Sequence, residues 1–366
     1  MRHITEAHLE ALALGAAVLG TGGGGDPYIG KLMARHALQT HGPVEVVTPD
    51  EVPEGAVCVI SAVMGAPTVL VEKLPGTDEQ LTALRTLEAY LGREITHVMC
   101  AEVGGLNSTL PIVTAASTGL PLVDCDAMGR AFPEIQMSTP TMYGIRASPM
   151  ALADDKGNRV VVDAVDNHWT ERMARSITID MGAAAFIALF SMTGAQAKSS
   201  MIPNTLQLAE DIGRAIVGAR EAKDDPVAAA ARILGGLVVF SGKVADVERR
   251  TMEGFARGRM RVEGVDEHAG EDLVVEFQNE NLIARRAGEV LATVPDLITV
   301  VDDLSGAPIT TEELRYGLRV RVIAAPCHER WRSQAGLDLV GPRYFGYDVD
   351  YVPVERLAGM QGGADR

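Results

Sequence analysis

Cysteine is scarce in this chain, with four among 366 residues. That is no disulfide framework, and a reducing compartment suits it best. Basic side chains are also in deficit: 33 Lys and Arg stand against 49 Asp and Glu, for a net charge of −16. An acidic chain repels phosphate backbones and anionic lipid surfaces, which disfavours nucleic-acid binding and membrane attraction. No Gly-x-Ser-x-Gly occurs, which argues against an ordinary serine hydrolase. The start carries Glu6 and Glu10 where a signal peptide would have its apolar core, so a cytoplasmic protein is expected. The longest apolar run, Ile177 to Ala197, is interrupted by Asp180, Gly182 and Gly194 and has no flanking aromatic belt. It reads as a buried helix rather than a membrane span. What is present is a 47% hydrophobic composition, enough to bury a sizeable core and to exclude overall disorder.

Two regions of different character follow from the patterning. Up to about residue 145, helical and strand signals alternate. Apolar residues at Leu9, Leu12, Ala13 and Ala16 mark a first helix, and Pro27 opens a second. Val44–Thr48, Val57–Met64, His97–Val103 and Leu120–Asp124 read as strands, with an amphipathic helix carrying Leu81, Leu84, Leu87 and Leu91 between them. Strands separated by helices imply an α/β domain with a mostly parallel sheet and helices on its faces. The character of the chain changes after about residue 145. Met150–Ala153 and Val160–Ala164 read as a hairpin. His168–Ser176, Ala183–Thr193, Thr205–Lys223 and Pro226–Leu234 look helical, and Leu237 to Ala325 is a succession of strands. A β-rich C-terminal domain with helices, a barrel or sandwich, is expected.

In open α/β sheets ligands collect at the carboxyl ends of the strands. Three loops follow strands here: Met64-Gly65-Ala66-Pro67, Glu102-Val103-Gly104-Gly105-Leu106-Asn107, and Asp124-Cys125-Asp126-Ala127-Met128-Gly129-Arg130. Their polar residues are therefore candidates for one site. Gly22–Gly25 before Asp26-Pro27 can turn backbone N–H groups towards a ligand, which makes Gly23, Gly24, Gly25 and Asp26 candidate substrate-binding residues. The run lacks the Lys-Ser/Thr of a P-loop and follows a helix rather than a strand, so phosphate is not its ligand. Close helix packing is the alternative. Asp124, Cys125 and Asp126, with Glu134 and Glu102, form the densest acidic grouping and suit either a divalent metal or general acid–base work. The alternative is that the aspartates cap a turn and Cys125 is inert core. Buried carboxylates need a cation, either a metal or Arg130. Cys327-His328, bent by Pro326, offers a thiolate and an imidazole, or else a buried Cys beside a surface His. His168 opens the helix that links the two regions and is a candidate base or ligand.

Four stretches occur in a suggestive order: Gly22 to Tyr28, Glu102 to Asn107, Asp124 to Glu134, and Gly341-Pro342-Arg343-Tyr344-Phe345-Gly346-Tyr347. Together they resemble the S-methyl thiohydantoin desulfurase family, over nearly the whole chain. The Met128-Gly129-Arg130-Ala131-Phe132-Pro133-Glu134 stretch is the most specific part. The resemblance implies a two-domain protein, with an N-terminal α/β domain over residues 1–165 and a β-containing C-terminal domain over residues 166–366, that hydrolyses an S-methylated thiohydantoin, releasing methanethiol and leaving a hydantoin. It also implies an association with hydantoinase and oxoprolinase proteins, so a non-catalytic partner subunit of such an enzyme is the alternative. On the residues themselves, Glu102 or Asp126 is the candidate base, with Glu134 and His168 as further catalytic candidates. Asp124, Cys125, Cys327 and His328 are the candidate ligands of a divalent metal such as zinc. Asn107, Arg130 and the glycine-loop amides are placed to hold a small cyclic substrate. A homo-oligomer is expected on general grounds.

Overall fold

The computed structural model describes residues 2–25, 27–65, 69, 78–252 and 255–357, so Asp26, Ala66 and Pro67 lie outside the described residues. The chain opens with β1 (Arg2–Ile4), α1 (Glu6–Leu19) and α2 (Pro27–His41). Strands β2 (Val44–Val47), β3 (Val57–Gly65), β4 (His97–Met99) and β5 (Leu122–Val123) follow, with α3 (Glu79–Leu91) and α4 (Leu110–Thr118) between them. Next come β6 (Cys125–Asp126), α5 (Thr139–Met142) and the hairpin of β7 (Met150–Ala153) and β8 (Arg159–Val162). The middle of the chain holds α6 (Asn167–Asp180), β9 (Ala184–Thr193), α7 (Gly194–Ser200), β10 (Ile202–Pro203), α8 (Thr205–Ala222) and α9 (Pro226–Ile233).

The first sheet has the order β1-β2-β5-β4-β3-β9-β7-β8. Its β2-β5-β4-β3 stretch is parallel, as strands linked by helices require, while β1, β9, β7 and β8 run antiparallel to their neighbours. The sheet is therefore mixed. Its β9 comes from beyond residue 165, and α8 packs along α1.

The region from Leu237 onward is a curled antiparallel sheet. Its strands are β11 (Leu237–Met252), β12 (Phe255–Gly264), β13 (Asp272–Gln278), β14 (Glu280–Arg286), β15 (Glu289–Thr293), β16 (Leu297–Asp302) and β17 (Arg319–Ala325). They pair in the order β15-β14-β13-β12-β11-β17-β16. Inward residues such as Phe240, Val244, Met260, Val275, Val300 and Val322 fill the curl, and β16 closes back towards β14 and β15. Two short helices, α10 (Gln334–Val340) and α11 (Val354–Leu357), finish the described chain. The α/β architecture with a β-rich second part is thus as the patterning indicates. Among the described residues no helix is long and apolar enough to cross a membrane.

One element differs. The apolar run from Ile177 is not a single helix, and Ala183–Thr193 is not helical. The chain breaks after α6, where Gly182 and Ala183 take left-handed φ values of +96° and +67°, and continues as β9. Hydrogen-bonded between β3 and β7 and almost wholly buried, β9 has no polar face to show an alternating period. A strand of that kind cannot be told from a buried helix by spacing alone. A second element, β14, is absent from the sequence reading because it begins one residue after β13 ends. Only Asn279, at φ +57°, separates them.

Candidate functional site

The end of β3 and the loops that follow β4 and β5 meet around one cavity of about 120 Å3. Its apolar walls come from Ile60, Ala62, Val63 and Met64 of β3, Ile187, Leu189 and Phe190 of β9, and Phe132. Phe190 is turned by a bulge: between the pairs Cys58↔Met192 and Ile60↔Leu189, one residue of β3 faces two of β9, and Phe190 sits at φ +50°. Bulges of this kind re-aim a side chain beside a site. Glu102, Asn107, Glu134, Glu171, Arg175, Asn279 and Glu280 supply the polar lining, together with Gly24 and Gly25.

Glu102 follows β4 and is 7% exposed. Its Oε1 accepts from Nδ2 of Asn107 at 2.9 Å, while its Oε2 is buried without a partner. Asn107 is itself pinned, accepting from Val63 N–H at 2.8 Å and donating to Val63 O at 3.3 Å. The amide therefore holds the carboxyl against the end of β3. Burial raises Glu102 to about 7, against the opposing pull of Asn107, the Phe132 N–H and the charge of Arg130. Glu280 stands at the first position of β14 and is 3% exposed, and its Oε2 also lacks a partner. Burial first, and then the charge of Glu102, lifts it well above the usual carboxylate range. Glu171 accepts from Ile135 N–H at 3.0 Å and from Arg175, whose guanidinium also reaches Pro133 O at 3.1 Å. Glu134 accepts from Gln136 and, at 3.2 Å, from the hydroxyl of Tyr344, which brings the Gly341–Tyr347 stretch to the rim.

The glycine run is a junction of three segments. Thr21 O accepts from Asn281 N–H at 2.8 Å, Gly22 O from Thr311 N–H at 2.9 Å, and Gly24 O from Leu106 N–H at 2.8 Å. A Cβ on Gly24 would lie 2.6 Å from the Gly104 carbonyl, and one on Gly23 would lie 1.9 Å from Oε1 of Glu280. Glycine at these places lets backbone and carboxyl approach, so close packing and a part in the cavity wall coexist. Asp26, grouped with them on sequence, lies outside the described residues.

The acidic loop after β5 is organised differently. Asp126 is fully buried and accepts from Val103 N–H at 2.8 Å and from Gly129 N–H at 2.9 Å, and it does not line the cavity. Burial pushes its carboxyl up to about 7 even so. Asp124 binds Arg2 at 2.9 Å and caps α8 by accepting from Leu206 N–H at 2.8 Å. Arg130 has five N–H groups and makes five hydrogen bonds: to Ala131 O, Pro295 O, Asp296 O, Asn281 O and Thr21 Oγ1. It ties the loop to the second sheet. Cys125 is fully buried, and burial, reinforced by Cys100, pushes its thiol well up.

Beside that loop, where the neighbouring His328 packs against Gly129, but outside the cavity lining, lies Cys327. Its N–H donates to Asp296 at 2.9 Å, its Sγ is 3.8 Å from the Tyr351 hydroxyl, and burial pushes its thiol up to about 12. His328 accepts from Arg330 N–H at 3.3 Å through Nδ1, and burial lowers its proton affinity. His168 is exposed in the first turn of α6 and does not line the cavity. Asp124, Cys125, Cys327 and His328 are not gathered into one donor set: among the described residues, no group of three or more His, Cys, Asp or Glu is placed to hold a metal ion. The residues therefore do not fit the expected zinc, and no step is routed through one.

The structure thus brings Glu102, Asn107, Glu134, Gly24 and Gly25 to one cavity. It adds Glu280, Glu171, Arg175 and Phe190, which the sequence reading did not single out as site residues. The one available signal for Glu280 is the polar run Gln278-Asn279-Glu280-Asn281 flanked by Val-Val-Glu-Phe and Leu-Ile-Ala. A charged residue leading into an apolar strand is a buried charge in waiting.

The crystal structure of a protein from Chromobacterium violaceum is similar in fold, with a TM-score of 0.78 and 26% identity over 97% of this chain and 100% of that one. No curated protein matches. Residues 7–164 match the S-Me-THD-like N-terminal domain and residues 165–354 the S-Me-THD-like C-terminal domain. With both halves matched in order, the chain belongs to the S-Me-THD-like family.

Proposed function

We propose that the protein is a hydrolase of a small cyclic amide-like ring such as an S-methyl thiohydantoin, using water to release methanethiol and leave a hydantoin. The reading is carried by Glu102. One of its oxygens is fixed by Asn107, and the other is buried at the cavity wall, with the Phe132 N–H nearby and no hydrogen bond formed. A carboxyl positioned in that way and titrating near neutrality can accept a proton from water and give it back. At about 120 Å3 the cavity restricts the ligand to a small one. Met64, Phe132 and Phe190 present polarisable and apolar surface suited to a planar ring and a methylthio group. Asp126, bound to the N–H of Val103, fixes the backbone next to Glu102 and acts as a positioning residue.

The experiment is turnover of synthetic S-methyl thiohydantoin, followed by trapping the thiol. The wild-type chain releases methanethiol, and Glu102→Gln lowers kcat/KM by ~10²–10⁴. Tight binding of the ring without thiol release would overturn the hydrolase reading.

A further inference from the structure

We propose that Glu280 is a second catalytic residue of this cavity, the acid that protonates the departing sulfur while Glu102 serves as the base. The proposal rests on the hydrolase reading above. Its ground is geometric. Glu280 and Glu102 come from different sheets and line the same cavity, and each keeps an Oε2 that is buried and without a partner.

Structural carboxylates in this protein look different. Asp296 is fully buried and accepts from Cys327 N–H at 2.9 Å, Val354 N–H at 2.8 Å and the Tyr351 hydroxyl at 2.9 Å. Glu280 has no such cage. The nearby Arg130 contributes charge and no hydrogen bond, because its N–H groups are all directed to other acceptors. A buried carboxylate with one oxygen unpartnered and only its own backbone N–H as donor is costly, and the neutral acid is the form that fits. Burial and the charge of Glu102 favour that form. Gly23 completes the arrangement, since any side chain there would occupy the place of Oε1.

The proton inventory closes with two carboxyls. Water adds to the ring carbon that bears sulfur, the C=N electron pair moves onto nitrogen, and one proton of the water passes through Glu102 to that nitrogen. The hydroxyl of the addition intermediate then returns its proton to Glu102 as the carbonyl forms. The C–S bond breaks with its electron pair on sulfur, and Glu280 supplies the proton that makes methanethiol. Transfer of a proton from Glu102 to Glu280 resets the pair. No oxidant or reductant is needed.

The test varies the leaving group. S-methyl thiohydantoin and its S-(2,2,2-trifluoroethyl) analogue are turned over by the wild type, Glu280→Gln and Glu102→Gln. Trifluoroethanethiol is much the stronger acid, so its thiolate departs without a proton donor. Glu280→Gln is expected to lose ~10²–10³ in kcat/KM on the S-methyl ring and to stay within about threefold of wild type on the fluorinated one, whereas Glu102→Gln loses on both. Gly23→Ala, which displaces the Glu280 carboxyl without removing it, is expected to give the same leaving-group pattern and decides the matter if Glu280→Gln does not fold. Equal losses on both rings, or none, overturn the role of Glu280 while leaving the hydrolase reading intact. A wild-type chain inert towards both rings overturns the two together.

Discussion

The acidic loop after β5 and the cavity wall are both built from buried carboxyl groups, and they differ in what those groups touch. Asp124 and Asp126 accept from backbone N–H groups and from Arg2, and Arg130 satisfies five acceptors at once. On the wall, Glu102 and Glu280 each present an oxygen with no partner. Buried polar atoms are almost always satisfied in folded proteins. A fully engaged carboxylate therefore marks a structural joint, and an orphaned one facing a cavity marks a place where a ligand or a proton is handled. Asp126 and Glu102 both belong to stretches that carry the family resemblance, so motif membership does not separate the two roles. Hydrogen-bond satisfaction does.

The contrast can be broken by substitution. The largest expected effect is on rate: Glu102→Gln lowers turnover by ~10²–10⁴ without lowering the melting temperature, because it removes a charge the fold does not stabilise. A variant that unfolds would place Glu102 with the joints. Next, Arg130→Met strands the carbonyls of Ala131, Asn281, Pro295 and Asp296 and is expected to cost about 3–5 kcal/mol in a denaturant titration. A loss below about 1 kcal/mol together with abolished turnover would move Arg130 into the site.

A smaller effect concerns pH. The ordinary value of a Glu carboxyl is 4.5, and Glu102 in the folded chain is raised to about 7. Between those values the folded protein holds a proton that the unfolded chain has released. Stability from this group is therefore fully present below about pH 4.5 and declines as pH rises through about 7, by on the order of a few kcal/mol. Melting curves from pH 5 to 8 should show the decline, and Glu102→Gln should lessen it, the remainder coming from Asp126 and Glu280, whose carboxyls are also raised. An unchanged slope in the variant would remove Glu102 as its source. The smallest effect is expected from a chelator. With Asp124 held by Arg2 and Cys327 beside Asp296 and Tyr351, stability and thiol release should be unaffected. Close to one zinc per chain by elemental analysis, with both properties lost on its removal, would reverse that.

Much of the fold is legible because its causes are local. Leu9, Leu12 and Ala16 recur at helical spacing in α1, and Val57–Met64 is a β-branched apolar run that becomes β3. Local signals fail where an element is buried on all sides, as in β9, or begins after a one-residue turn, as in β14. At the site, Glu102 and Asn107 are readable from their place after a strand in an α/β pattern. Glu280 is not, since nothing near it in the chain says that β14 will come to rest against the glycine loop.

The sequence by itself determined the α/β alternation, the β-rich second half, the family and the set of ionisable groups. Only the tertiary structure decided that Asp126 and Arg130 are joints while Glu102 and Glu280 face open space. The physical reason is that a carboxyl's solvation and hydrogen bonding are properties of its surroundings, and here those surroundings are assembled from segments far apart in the chain.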